Sequence, residues 1–272
     1  MLSITTSDNL KLYIHSWEAA APTKIVLIVH GHGEHGGRYE HIAKNVFLPA
    51  NNSVWAMDQR GHGLSEGVRG HAPSMAQLVA DVQLTIETIQ QTYPSLPIYI
   101  YGHSMGGSIV LNYLNAYPTT TIAALVTSPW IKLAFTPNPI QVKLAQIVKG
   151  IFPSMTQDSK LDVSQLSRDN DEIQKYVSDS KVHSRVSPAL FFSCYQKGIE
   201  LLETPFLYKN KLLLMHGSLD KITSCKASSE FYTKNKYNGF VYKEWEGGFH
   251  ELHNDSIRKE VYEYINKWII TL

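Results

Sequence analysis

One serine in this sequence has the surroundings of a nucleophile. Ser104 lies in a Gly-x-Ser-x-Gly motif, directly after an apolar run and directly before an apolar helical pattern. The strand-to-helix turn of such a motif is so sharp that the residues two before and two after the serine must be small, and Gly102 and Gly106 meet that demand. The N-terminus of the following helix would favour a developing oxyanion. The motif predicts a nucleophilic serine, and an ordinary strand–helix turn is the plain structural alternative.

A serine hydroxyl needs a general base, and the base needs a carboxylate that orients it. Where a serine occupies such a turn, the other two groups follow it in the order acid, then histidine. Asp220 and His250 each follow a late apolar run, so both are expected at the carboxyl ends of strands. His253 is a rival base, but its position indicates the first turn of the final helix. We therefore predict Ser104, Asp220 and His250 as the catalytic triad, with a simple turn aspartate as the alternative for Asp220.

The loop at residues 30–39 is rich in glycine and can supply backbone donors. It reads His-Gly-His-Gly-Glu-His-Gly-Gly-Arg-Tyr and follows the apolar run 25–29. Glycines let a backbone approach a substrate closely, and one oxyanion donor is expected from this loop. The predicted donors are the backbone N–H groups of His32 and Met105.

The same loop also resembles a metal-ligand pattern. His30-x-His32-x-Glu34-His35 is similar to the His-x-His-x-Asp-His cluster of binuclear metallohydrolases. Glu34 stands where that cluster has an aspartate, and a metal site would leave the serine, aspartate and histidine set unexplained. We predict neither a metal nor an organic cofactor and keep a metallohydrolase as an alternative.

The elements that must position these groups alternate along the chain. Short apolar runs end in turn residues, as expected of strands buried on both faces, at residues 25–29, 53–57, 98–101, 122–127, 212–215 and 240–245. Helical patterns lie between several of them, for example at 75–92 and 105–116. The alternation predicts an α/β fold with a mostly parallel central sheet and helices on both faces. Runs near 2–5 and 10–17 predict an antiparallel hairpin at the sheet edge.

The alternation breaks over residues 130–205, a segment too long for a loop in a compact domain. One face of a helix within it is apolar, formed by Ile140, Leu144, Ile147, Val148 and Ile151. We predict that 130–205 is a helical cap inserted into a hydrolase core made of 1–129 and 206–272. The pattern leaves open whether the apolar face lies on a lipid surface or packs on the core.

Composition limits the class of protein. The chain has 272 residues, of which 43% are apolar and 18% charged, and this is typical of a globular protein. Lys plus Arg is 25 and Asp plus Glu is 24, so the charge balance does not favour nucleic acid as a partner. Cys194 and Cys225 are too few for a disulfide scaffold. The N-terminus lacks the features of a secretory signal, so we expect a soluble cytoplasmic protein.

The motifs occur in order, and their combination resembles one known family. They are His-Gly-His-Gly-Glu-His-Gly-Gly-Arg-Tyr at 30–39, Asp-Gln-Arg-Gly-His-Gly-Leu-Ser-Glu-Gly at 58–67, Gly-His-Ser-Met-Gly-Gly at 102–107, His-Gly-Ser-Leu-Asp at 216–220 and His-Glu-Leu-His at 250–253. Over nearly the whole chain the set resembles the monoacylglycerol lipase family of α/β-hydrolases. The resemblance implies an α/β-hydrolase fold with a cap. It also implies a serine hydrolase that cleaves monoacylglycerols to fatty acid and glycerol through an acyl-enzyme.

The resemblance further implies polar groups near the glycerol, which correspond here to Glu34, Arg38, Tyr176 and His253. The structural alternatives are a loop-fixing ion pair for Glu34 and Arg38 and plain packing for Tyr176 and His253. His32 is a departure, because the family commonly has a small residue at that position.

Other functions remain open on the sequence. A lysophospholipase or a general carboxylesterase would use the same triad, and so would a peptidase. A non-catalytic binding protein on this fold is a further alternative. Peripheral membrane contact through the cap is a hypothesis, and the sequence does not fix the oligomeric state.

Overall fold

A mixed β-sheet carries the fold. The computed structural model describes residues 2–272 apart from the side chain of Gln141. The strands are β1 (Leu2–Thr5), β2 (Lys11–Trp17), β3 (Lys24–Val29), β4 (Asn52–Met57), β5 (Ile98–His103), β6 (Ala123–Thr127), β7 (Gln157–Asp158), β8 (Arg185–Val186), β9 (Lys211–Gly217) and β10 (Phe240–Trp245). Within the described range, eight of them form one sheet in the order β1-β2-β4-β3-β5-β6-β9-β10. The contacts of β2 with β1 and with β4 are antiparallel, and the other pairings are parallel. These pairings confirm the mostly parallel sheet and the edge hairpin.

Helices lie between the strands. They are α1 (Glu40–Ile42), α2 (Met75–Thr92), α3 (Met105–Ala116), α4 (Pro139–Ile151), α5 (Asn170–Ser178), α6 (Pro188–Glu203), α7 (Cys225–Asn235) and α8 (Arg258–Ile269). The helices predicted at 75–92 and 105–116 are confirmed. Short helical turns also cover 36–50, where the glycine-rich pattern predicts only a loop. They form because apolar side chains of this segment, among them Ile42 and Phe47, pack on the sheet.

The sheet separates two apolar cores. Along β3, Ile25, Leu27 and Val29 belong to one core and Val26 and Ile28 to the other. The first core is covered by α2, α3, α6 and α7, and the second by α8 and the helical turns at 36–50. Side chains alternate across a strand, so a fully apolar run places residues in both cores. This is the helix-on-both-faces arrangement that the sequence predicts.

The predicted cap contains α4, α5 and α6 and the two-stranded pair of β7 and β8. Its last helix, α6, shares the core of the sheet, since Leu190, Cys194 and Leu201 pack with residues of β3 and α3. The division into 1–129 with 206–272 and 130–205 therefore stays a prediction about domain organisation.

Backbone hydrogen bonds join the segment predicted as the cap to loops that lie before it in the chain. His183 N donates to Gly33 O at 2.9 Å, and Ser187 N donates to Gly70 O at 2.9 Å. Gly33 has φ +78°, and a Cβ at this position would lie 2.4 Å from His183 O. Only a glycine allows this close approach between the loop and the cap.

The apolar face of α4 points away from the protein. Ile140 is 79% exposed, Leu144 61%, Ile147 56% and Ile151 65%. Isolated exposed apolar residues are ordinary, but a row of them on one helix face indicates a contact surface. In the described part of the chain, every helix is too short or too polar to cross a bilayer.

Candidate active site

The turn between β5 and α3 gives Ser104 an unusual backbone conformation. Ser104 has φ 54° and ψ −118°, a region that favours glycine. Its N–H donates to Thr127 O at 3.0 Å, and its carbonyl accepts from Trp130 N at 3.0 Å. A Cβ on Gly106 would lie 2.0 Å from Val29 O, so the demand for a small residue is steric. The turn lifts the hydroxyl above the ends of the strands.

The structure joins the three predicted side chains in one line of hydrogen bonds. Ser104 Oγ lies 2.8 Å from His250 Nε2, and His250 Nδ1 lies 2.7 Å from Asp220 Oδ2. Asp220 follows β9, and His250 lies in the loop between β10 and α8. The carboxylate accepts from Nδ1–H, which leaves the lone pair of Nε2 facing the serine hydroxyl. This geometry allows the serine proton to pass to His250.

The carboxylate of Asp220 is surrounded by donors. Oδ1 accepts from the backbone N–H groups of Ile222 at 2.8 Å and Thr223 at 3.0 Å. Oδ2 also accepts from His216 Nε2 at 3.0 Å and from Thr223 Oγ1 at 2.9 Å. Burial would raise the pKa of Asp220, but the charge of His250 and the hydrogen bond from His216 hold the pKa below its usual range. The group therefore stays ionised.

The surroundings of His250 raise the pKa of its imidazole. Burial would lower the pKa of its imidazole, but the neighbouring Asp220 carboxylate outweighs burial and raises the pKa above its ordinary value. Its carbonyl accepts from Ser128 Oγ at 2.8 Å, which fixes the loop that carries it. The Asp220 carboxylate would also stabilise the protonated ring that follows proton transfer.

The predicted oxyanion donors lie beside the serine. A Cβ on Gly31 would lie 3.2 Å from Ser104 Cβ, so the backbone of this loop passes close to Ser104. His32 is the next residue, and Met105 begins α3 directly after Ser104. Within the described residues, neither N–H donates to a protein acceptor. Both are free to hydrogen-bond a substrate oxygen.

Glu34 and Arg38 belong to a buried ionic network. Arg38 donates to both carboxylate oxygens of Glu251 at 2.9 Å and also contacts Glu34. Glu34 Oε1 accepts from Gly31 N at 2.7 Å and from Tyr39 hydroxyl at 2.8 Å. Burial would raise the pKa of Glu251, but Arg38 outweighs it and lowers that pKa. These contacts stabilise the loop at residues 30–39, which is what the alternative of a loop-fixing ion pair predicts.

Tyr176 and His253 take different positions. The ring of Tyr176 lies against the Arg38 guanidinium, 4.7 Å from the ring centroid, and lines a cavity under the cap. His253 is buried, stacks on Tyr39 at 5.0 Å and contacts Tyr101 hydroxyl at 3.3 Å through Nδ1. Burial lowers the pKa of His253 to about 3. His250, and not His253, contacts the serine hydroxyl. The expectation that His253 lies in the first turn of the final helix is wrong, because α8 begins at Arg258.

The side chains of the metal-like pattern are held by separate partners. His30 Nε2 accepts from Gln59 N at 3.0 Å, and His35 Nε2 lies 2.8 Å from Asp179. Since Glu34 contacts Arg38, the pattern does not converge on one point.

A different group was not apparent from the sequence. His15, His35 and Asp58 offer ligand atoms within 4.8 Å of one another. His15 Nε2 lies 3.1 Å from Asp58 Oδ1, which also accepts from Gly36 N at 2.7 Å. The group is closed by these protein contacts, and no motif joins positions so far apart in the sequence.

Sequence reasoning also missed residues that support the candidate triad. His216 and Thr223 bond the Asp220 carboxylate, and Glu251 holds Arg38. His216 lies within the motif at 216–220, so the sequence pointed to this residue. Nothing in the sequence connects Glu251 with Arg38.

The chain is similar to known proteins over most of its length. A family model named Hydrolase_4, described as serine aminopeptidase S33, matches residues 20–257. The chain is 36% identical to an uncharacterized abhydrolase domain-containing protein of Dictyostelium discoideum over 98% of this chain, which spans 28% of that relative. It is 30% identical to the monoglyceride lipase of Mus musculus, with 98% of this chain and 89% of that protein covered.

A solved structure is also similar. The crystal structure of the Paleococcus ferrophilus monoacylglycerol lipase matches with a TM-score of 0.88 and 28% identity. The match covers 96% of this chain and 98% of that chain. The likeness therefore includes the segment 130–205 as well as the sheet.

Proposed function

The chain belongs to the Hydrolase_4 family, described as serine aminopeptidase S33, and has the α/β-hydrolase fold; on that premise we propose that it hydrolyses monoacylglycerols to fatty acid and glycerol. It is a serine ester hydrolase. The observation that carries the proposal is the line of hydrogen bonds from Ser104 through His250 to Asp220, in a chain similar to monoglyceride lipases.

The proposed reaction proceeds through an acyl-enzyme. Ser104 Oγ attacks the ester carbonyl while His250 Nε2 takes the hydroxyl proton. Asp220 holds the tautomer of His250 and stabilises the imidazolium. The ester C–O bond then breaks, and glycerol leaves with the proton from His250. A water molecule, deprotonated by His250, attacks the acyl-enzyme and releases the fatty acid.

The oxyanion of each tetrahedral intermediate would be held by the backbone N–H groups of His32 and Met105. Removing one such donor typically costs about 3 kcal/mol of transition-state stabilisation. The nucleophile, the base and the oxyanion donors all come from the chain, so the proposed reaction needs no metal or organic cofactor.

The cap, proposed as residues 130–205, would cover the acyl chain and contact the lipid surface. Four apolar side chains of α4 are exposed in a row, with Lys143 and Lys149 on the same helix. Apolar side chains that enter the interface, together with cations near lipid headgroups, are typical of peripheral membrane helices. Peripheral contact would let the enzyme collect a poorly soluble substrate.

The test is fatty-acid release from monoacylglycerols of increasing acyl length, with the wild type beside Ser104→Ala. We expect the rate to rise with chain length, because an apolar site gains affinity with each methylene. Ser104→Ala should lower kcat by about 10⁶-fold. Activity confined to short esters would contradict the lipid substrate and favour a general carboxylesterase. A preference for lysophospholipids would favour the lysophospholipase alternative, and activity that survives in Ser104→Ala would exclude Ser104 as nucleophile.

A further inference from the structure

A group of three histidines lies where the predicted cap contacts the loop at residues 30–39. The imidazole centroids of His32 and His62 are 5.7 Å apart, those of His32 and His183 6.0 Å, and those of His62 and His183 4.7 Å. The three residues come from separate segments, and the bond from His183 N to Gly33 O joins two of these segments. The group therefore exists only when the cap is seated on the core.

Several of these ring nitrogens are buried without a partner. Among the described residues, both nitrogens of His32, Nε2 of His62 and Nδ1 of His183 form no hydrogen bond. The other nitrogen of His62 donates to Arg60 O at 3.0 Å, and the other nitrogen of His183 donates to Gly61 O at 3.0 Å. A carbonyl only accepts, so in the neutral rings the unpaired nitrogens of His62 and His183 are lone-pair acceptors.

Burial keeps these rings neutral at neutral pH. Burial, with the nearby His183, lowers the pKa of His32 to about 3. Burial also holds the pKa of His62 well below its ordinary value and lowers that of His183. A neutral imidazole offers one donor and one acceptor, so His32 adds one of each. The group as a whole presents more acceptors than donors.

A cavity of about 160 Å³ opens beside the histidines. His32, His183, Tyr176 and Ser159 line it, together with apolar side chains of the cap. The hydroxyl of Ser159 is also buried, with no partner in the part of the chain that the structure describes. At about 30 Å³ per water molecule, the cavity has the volume of about five waters, which suits a three-carbon alcohol. His32 lines the cavity and directly follows Gly31, whose backbone passes close to Ser104, so the cavity and the predicted oxyanion donor share one loop.

We propose that His32, His183 and Ser159 form a subsite for the hydroxyl groups of a polyol, which is the alcohol part of the ester. His62 supplies a further acceptor behind them. This inference rests on the proposed function and specifies how the alcohol is bound. Hydroxyl groups bring the donors that an acceptor-rich site requires, whereas an ionised phosphate brings only acceptors.

The polar groups implied by the resemblance do not offer the same chemistry. Arg38 is hydrogen-bonded to Glu34 and Glu251, and Glu34 also accepts from the backbone N–H of Gly31. Among the described residues that line the cavity, His32, His183 and Ser159 carry buried polar atoms with no partner. A buried polar atom left unpaired is costly, so an alcohol that satisfies these atoms is selected over one that cannot.

The experiment compares glyceryl monobutyrate with propyl butyrate. Both esters have the same acyl group and a three-carbon alcohol, and they differ only in two hydroxyl groups. The readout is the ratio of the two kcat/KM values for the wild type, Ser159→Ala, His183→Leu and His183→Gln. Lys181→Ala, an exposed change in the same cap loop, is the matched control.

We expect Ser159→Ala to lower the ratio about threefold and His183→Leu about tenfold, mainly through the KM of the glyceryl ester. His183→Gln, which keeps a polar acceptor, should restore part of the ratio, and Lys181→Ala should not change it. Ser159 Oγ has no protein partner to lose, so Ser159→Ala should keep the wild-type melting temperature. Melting curves of the His183 variants check that the cap is intact.

Three outcomes would overturn the subsite. In the first, every variant keeps the wild-type kcat/KM values for both esters. In the second, the variants lose activity on both esters equally, so the ratio of kcat/KM values does not change. In the third, the wild type prefers a glycerophosphocholine ester and the variants lose that preference. The short ester pair does not depend on the acyl length that the enzyme prefers. A wild type that cleaves only short esters, with the glyceryl preference intact, contradicts the lipid proposal and supports the subsite.

Discussion

The two sides of the candidate active site differ in how their polar groups are satisfied. On the core side, Asp220 accepts from backbone N–H groups and two histidine rings, and Arg38 is bonded to two carboxylates. On the side that faces the cap, ring nitrogens of His32 and His183 are buried with no partner among the described residues. The helix α4 on the same side exposes a row of apolar residues.

The two sides of the site are therefore suited to different tasks, the core side to the chemical step and the cap side to substrate binding. Groups that stabilise a transition state work best when they are already fixed, because no reorganisation is needed at the moment of reaction. Groups that bind a substrate must keep hydrogen-bonding capacity or apolar surface available until the substrate arrives. The core side has the first property and the cap side has the second.

The largest effect is expected where the core side is changed. Asp220→Asn should lower kcat about 10⁴-fold, because an amide no longer stabilises the imidazolium and favours the wrong tautomer of His250. Steady-state kinetics on a short ester measure the loss. Asp171→Asn, an exposed change at the start of α5, is the control and should keep full activity. A loss below tenfold in Asp220→Asn would contradict a fixed orienting role.

A change in the ionic network should affect stability. Glu251→Gln leaves the buried Arg38 with one ionised partner, so we expect the free energy of unfolding to fall by about 2 kcal/mol. Urea denaturation measures this change. Glu260→Gln lies on the exposed side of α8 and should have little effect. Equal stability of the two variants would show that the network does not brace the core side.

The pH dependence of kcat/KM tests whether His250 is the general base. Burial lowers its pKa, but the Asp220 carboxylate outweighs burial, so the net shift is upward from about 6.5. Only the neutral ring can take the serine proton, so kcat/KM should fall about tenfold for each pH unit below that pKa. In Asp220→Asn the acid limb should move to lower pH. A rate that does not change between about pH 5 and 8 would exclude His250 as the base.

The smallest effect is expected at the exposed face of α4. Ile147→Ser combined with Ile151→Ser should weaken binding to lipid vesicles about tenfold, since only about half of each side chain is exposed to enter the interface. Vesicle flotation measures the bound fraction. The control combines Gln146→Ser with Gly150→Ser, two neighbouring exposed positions. Unchanged binding of the isoleucine variant would leave the cap side without a membrane role.

The sequence by itself determined the features that depend on local geometry. The turn around Ser104 requires glycines at fixed offsets because a Cβ would collide with the backbone, and this requirement is visible within five residues. The apolar runs predicted the central strands because a strand buried on both faces has few polar positions. The run at 240–245 does form β10, but its expected burial on both faces is wrong, since β10 is an edge strand in which only Phe240 is buried. The chain order of Ser104, Asp220 and His250 followed from the order of these strands.

Only the tertiary structure decided which distant groups meet. Arg38 and Glu251 are 213 positions apart, and no motif connects them. The position of His253 outside the final helix depended on how the loop after β10 turns, and the direction of the apolar face of α4 depended on how the segment 130–205 packs. The histidines at 32, 62 and 183 come together for the same reason. Such contacts are set by packing between segments, which leaves no periodic or local pattern in the chain.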